Sequence, residues 1–137
     1  MPVEFGCDIA RFGQDSTVIA IRYDHRVLPL HSMSQRDTME VAGVIASLAR
    51  EHQPVAIKVD VIGIGAGVVD RLRELKFPAV AINVAETARE PERFMNLRAE
   101  LWWNLRERLD PNPRVNPNPI ALPPDDVLLA DLTNVRY

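Results

Sequence analysis

Two aspartates stand where chemistry would need them. Asp8 lies near the end of the first β-like run of the sequence, Val3–Ala10, and Asp60 lies near the end of a later one, Val55–Val61. In the first run alternation sets Val3, Phe5, Cys7 and Ile9 on one face and Glu4, Gly6 and Asp8 on the other. In the later run Val55, Ile57, Val59 and Val61 oppose Ala56, Lys58 and Asp60, so Asp60 faces away from the most apolar side. Neighbouring strands lie about 4.8 Å apart, so two carboxylates on the same face of adjacent strands can share divalent ions. Hard cations such as Mg2+ and Mn2+ prefer oxygen ligands of this kind. Two ions about 3.5–4 Å apart suit phosphodiester hydrolysis, because they stabilise the attacking and leaving oxygens and lower the pKa of a bound water. The plain alternative for either aspartate alone is a residue that ends a strand and caps a turn.

Glycines follow Asp60 directly, in Val61-Ile62-Gly63-Ile64-Gly65-Ala66-Gly67. The spacing is G-x-G-x-G rather than the G-x-G-x-x-G of dinucleotide sites, and it occurs in mid-chain. No G-x-x-x-x-G-K-[ST] sequence exists, and Lys76 falls at the far end of the helix that follows. Two readings remain. The glycines form a turn that lets the chain enter a helix closely packed, or Gly63 and Gly65 also present backbone N–H groups on which a DNA phosphate rests.

These residues have to be positioned by a regular frame. After Val3–Ala10, a turn around Gly13 leads to Ser16–Tyr23, and Asp24-His25-Arg26 connects tightly to Val27–Met33. That is an antiparallel meander of three strands. Asp37-Thr38-Met39-Glu40 has the form of a helix start, with Val41, Val44, Ile45, Leu48 and Ala49 at helical spacing as far as His52. The strand Val55–Val61, a helix over Val68–Lys76 and a strand over Ala79–Val84 come next. A charged loop at 85–93 leads to an amphipathic helix over Phe94–Leu109, with Phe94 and Trp102 read as core. Asp110–Pro124 is a proline-rich connection with prolines at 111, 113, 117, 119, 123 and 124, which exclude a regular helix. A last helix starts within Asp125–Tyr137. The order is that of an α/β, ribonuclease-H-like domain: a mixed sheet of three antiparallel strands and then parallel strands, flanked by helices.

At 137 residues the chain reads as a single domain, 1–137. A net charge of −3 argues against a general nucleic-acid coat, which would be basic, but not against a nuclease with an acidic metal site. The lone Cys7 forms no internal disulfide and fits a reducing compartment. Neither a signal peptide nor an apolar run of about 20 residues is present, so a cytoplasmic protein without membrane contact is expected. His25, His31 and His52 lack ligand-like spacing, and Asp70 and Glu100 read as solvated helix faces.

Four segments together resemble the nuclease domain of phage terminase large subunits. They are Gly6-Cys7-Asp8-Ile9-Ala10-Arg11-Phe12-Gly13-Gln14-Asp15-Ser16-Thr17-Val18-Ile19, then Val59-Asp60-Val61-Ile62-Gly63-Ile64-Gly65-Ala66-Gly67-Val68, then Phe94-Met95-Asn96-Leu97-Arg98-Ala99-Glu100-Leu101-Trp102-Trp103, and Ile120-Ala121-Leu122-Pro123 before Leu128–Leu132. The resemblance implies an endonuclease that cuts double-stranded DNA during genome packaging, with Asp8 and Asp60 holding two Mg2+ or Mn2+ ions. It makes Asp15 an accessory acid, although Gln14 replaces the first of an acidic pair common in relatives. Arg11 and Arg98 become candidates for DNA contact. Small terminase subunit and portal protein are the implied partners, in the cytoplasm of a bacterial host. The family's third essential acid lies on a later helix, C-terminal to everything matched, and Asp125, Asp126 and Asp131 align poorly with it. The expectation is therefore a domain incomplete at its C-terminus. Two alternatives stand beside it: a non-catalytic remnant or DNA-binding module of the same fold, and an actin-like ATPase, whose Asp-bearing first hairpin is similar but which needs a second lobe.

Overall fold

The computed structural model describes residues 2–10, 16–34, 36–61 and 64–133. Their frame is a six-stranded mixed sheet. Strand β1 (Val3–Asp8) runs up its centre. On one side it pairs antiparallel with β2 (Thr17–Tyr23), Val3 opposite Tyr23 and Asp8 opposite Val18. On the other it pairs parallel with β5 (Ala56–Asp60), Glu4 opposite Ala56 and Cys7 opposite Val59. Beyond β5 lies β6 (Ala79–Ile82), also parallel, with Ile82 opposite Asp60.

The expected third strand, Val27–Met33, is split. Its ends form β3 (Arg26–Val27) and β4 (His31–Met33), both paired antiparallel to β2. Pro29 stands at the break; it has no N–H to offer the ladder. Asp24 makes the preceding turn with a left-handed φ of 54°.

The helices on the apolar face follow from their caps and stripes. Helix α1 (Thr38–His52) begins at Asp37, whose carboxylate accepts the Glu40 N–H at 2.8 Å, and stops at Gln53, which is left-handed, just before Pro54. Its buried stripe, Val41, Ala42, Ile45, Ala46 and Ala49, meets Phe5, Ile19, Ile21, Ile57 and Val59 from the sheet. Helix α2 (Gly65–Glu74) adds Val68, Val69 and Leu72 to the same core. Full burial of such side chains contributes roughly 1.5–3 kcal/mol each, so α1, α2 and one sheet face form the stable centre.

Helix α3 (Leu97–Arg108) departs from expectation. It starts three residues later than its apolar pattern suggests, because the Asn96 side chain caps it by accepting the Ala99 N–H at 3.0 Å. Phe94 lies before the helix and Trp102 is only half-buried, so neither is helix core. The buried residue of α3 is instead Glu100, 3% exposed, where a solvated carboxylate was expected. Its two oxygens accept the N–H groups of Arg89 and Glu90 at 2.8 and 2.9 Å. A charge is buried here because it closes the loop after β6 onto the helix, with hydrogen bonds to replace its water.

The proline-rich connection is structured. Asn116 donates to the carbonyls of Glu107, Arg108 and Asp110, and the Ile120 N–H donates to Arg108. Ala121 then makes a single parallel bridge to Arg26, donating to His25 at 2.7 Å and accepting from Val27 at 2.8 Å. Prolines on both sides of Ala121 keep that contact to one rung. Helix α4 (Asp126–Thr133) follows, capped by Asp125, which accepts from Val127 and Leu128. No helix among the described residues is long and apolar enough to cross a membrane.

Candidate metal centre

The register of the central strands decides the neighbourhood of the two aspartates. Cys7 pairs with Val59, so the next step along the parallel ladder sets Asp8 beside Asp60. Both then lie at the C-terminal ends of adjacent strands. Their alternation partners Cys7 and Val59 are buried in the core, which turns the two carboxylates to the opposite, open face. Asp8 is exposed and Asp60 half-buried. Both engage other groups in the structure.

Three local features hold this corner. The Thr17 hydroxyl, 3% exposed, accepts the Ala10 N–H at 2.9 Å and so closes the hairpin just past Asp8. The Val61 N–H donates to Ile82 at 3.0 Å, which extends the β5–β6 ladder beyond Asp60. Gly65 is buried against the strand end: a Cβ there would overlap the Asp60 carbonyl oxygen and press on Val59. The glycines after Asp60 therefore do not make up a loop throughout. Gly65 and Gly67 belong to the first turn of α2, which begins earlier than its apolar stripe because glycine permits this close approach.

Of the other residues singled out, Arg98 is brought to the same end of the sheet. Its N–H donates to Val84 at 2.9 Å, two residues past the Ile82 that pairs with Asp60, and its side chain is exposed. Arg11, Asp15 and Gly63 lie outside the described residues. Asp125 is occupied as a helix cap. The close helix entry read for the glycines holds at Gly65, while sequence reasoning missed Thr17 as a support of Asp8, although a Thr closing a hairpin was visible.

The donor set bears on the metal. Two carboxylates from adjacent strands offer oxygen ligands of the kind Mg2+ and Mn2+ take. Cys7 adds no thiolate, since it points into the core and burial pushes its thiol up to about 12. No group of three or more His, Cys, Asp or Glu gathers among the described residues. Among the described residues the set fits a hard cation with two protein carboxylates.

No protein-family model and no curated protein matches the chain. Solved structures do. The nuclease domain of the large terminase subunit of bacterial virus Sf6 superimposes with a TM-score of 0.83 at 21% identity, over 99% of this chain and 72% of that one. A mutant of the same domain, solved with manganese and beta-thujaplicinol, gives 0.82 at 21% identity over the same shares. The large terminase nuclease of thermophilic phage G20c with bound magnesium gives 0.74 at 17%, over 99% of this chain and 65% of that one. This chain has the terminase nuclease fold. In that fold, a ribonuclease-H-like mixed sheet flanked by helices, the ends of β1 and β5 carry Asp8 and Asp60.

Proposed function

We propose that this chain is a metal-dependent endonuclease domain of the phage or prophage terminase large-subunit type, acting on double-stranded DNA during genome packaging. One observation carries the reading: Asp8 and Asp60 end adjacent parallel strands on the open face of a sheet whose solved relatives are terminase nucleases. Relatives solved with manganese and with magnesium support the choice of ion. Asp8 and Asp60 would hold two Mg2+ or Mn2+ ions. Bound there, such ions supply Lewis-acid stabilisation of the charge that develops on the attacking and leaving oxygens of a phosphodiester.

The chain's own groups have separate tasks in this reading. Asp8 and Asp60 hold and orient the ions. The first-turn amides of α2 at Gly65 and the guanidinium of Arg98 offset phosphate charge at the same end of the sheet. Asp15, Arg11 and Gly63 complete the set as an accessory acid and phosphate contacts. DNA is the substrate, and small terminase subunit and portal protein are the partners of the whole protein. A second reading, a DNA-binding module that keeps the fold without turnover, is favoured by the count of two carboxylates among the described residues.

The test is plasmid nicking by the purified chain in Mn2+, beside an Asp60→Ala variant. Cleavage by the wild type alone is expected. Equal cleavage by both would sink the assignment, and cleavage by neither, with DNA still bound, would favour the module. ATP hydrolysis without nicking would favour an actin-like ATPase.

A further inference from the structure

The geometry points to Lys58 as a contact for the DNA phosphate next to the one at Asp8 and Asp60, an assignment that rests on the nuclease reading above. On the open face the strands stack their residues in rows. One row holds Val18, Asp8, Asp60 and Ile82; the next, two residues back along the strands, holds Ala20, Gly6, Lys58 and Val80. Two residues of strand span about 6.6 Å, the scale of one nucleotide step along a sugar–phosphate chain.

That second row is an open shelf. Gly6 is exposed, and even a Cβ there would meet nothing within 4 Å. Ala20 adds a methyl group, and Val80 is exposed. Lys58 is the charged member of the row, with its side chain 49% exposed.

The row behind explains why Lys58 is not merely the counterion of Glu4. Arg22 shares that place: its guanidinium donates to the Glu4 carboxylate and to the Asp24 carbonyl. The Lys58 ammonium lies 3.5 Å from the same Glu4 oxygen. Two cations against one carboxylate leave a net positive charge on the shelf, and Arg22 is held away from it by both its partners. Glu4 steers the Lys58 stem along the sheet without cancelling its charge. A polyanion approaching two aspartates meets like charge, and a lysine one step away offsets it.

The test is binding of a mixed-sequence DNA duplex to the full chain, with Ca2+ in place of Mn2+, across a salt series. Each phosphate contact contributes a slope of about 0.9 in log affinity against log salt. Lys58→Gln is expected to weaken binding equally on all sequences and to make the slope shallower by about 0.9. Lys58→Arg should restore it, and Arg22→Gln, which leaves Lys58 as the sole cation at Glu4, should weaken binding less than Lys58→Gln does. An unaltered slope for Lys58→Gln, when the wild type binds and cleaves, overturns the lysine assignment alone. Equal losses in Lys58→Gln and Arg22→Gln also overturn it, as does a Lys58→Arg chain with native circular dichroism that fails to restore the slope. A wild type that neither binds nor cleaves DNA overturns both readings.

Discussion

A methyl group at Gly65 has nowhere to go but into the Asp60 carbonyl, while one at Gly67, two residues later, meets nothing within 4 Å. The two glycines therefore separate local propensity from packing. Gly65→Ala should destabilise the chain by about 1–3 kcal/mol through overpacking. It should also weaken Mn2+-dependent cleavage by shifting Asp60. Gly67→Ala, on an exposed helical position, should stabilise by about 0.4–1 kcal/mol. Urea melts of both variants decide it, and the same sign for both would contradict this packing. Glu4 gives a second test at this scale. Burial raises its pKa, but Lys58 and Arg22 together outweigh burial and hold it below its usual 4.5. A folded pKa below the unfolded one means stability that is present above pH 4.5 and lost as pH falls through the lowered value. Glu4→Gln should thus be less stable at neutral pH and lose less on acidification below 4.5, as followed by thermal melts against pH.

Helix α3 is held by its ends rather than by an apolar stripe. Asn96 caps its start, Glu100 binds the loop at Arg89 and Glu90, and the segment around Ile120 joins its end to β3 through Ala121. Its start is tied to the chain just past β6, and its end, through Ala121, to β3. Hydrogen bonds to a charged group contribute about 1.5–3 kcal/mol, so Glu100→Ala should free the loop at 85–96 well before the core yields. Limited proteolysis should cut that loop faster in the variant, while the urea midpoint of the α1–sheet core moves little. Protection of the loop equal to wild type would mean that Glu100 does not hold it. This element was poorly legible in the sequence. Apolar residues at near-helical spacing predicted a buried stripe, whereas polar bonds to distant amides do the holding.

For the whole molecule the question is whether the two halves of the site come together. A metal that binds the native state raises its melting temperature in proportion to RT ln(1 + [L]/Kd). Mn2+ should raise the melting temperature of the wild type and should not do so for Asp8→Asn or Asp60→Asn. This measurement is independent of turnover, so it also distinguishes a metal-binding module from an active nuclease. Equal shifts in all three proteins would place the ion elsewhere.

Much of the frame was readable from the chain alone. Alternation assigned Asp8 and Asp60 to the faces opposite Cys7 and Val59, because side chains along a strand point to alternating sides whatever the strand pairs with. The Asp37 cap and the stop before Pro54 were equally local. Adjacency was not local. That β1 lies against β5, with Cys7 opposite Val59, depends on which strands the core brings together, and only that pairing sets the two carboxylates side by side. The burial of Glu100 belongs to the same class, since it is defined by loop amides that folding brings back onto the helix, whereas the close entry at Gly65 was already local to the glycine run after Asp60.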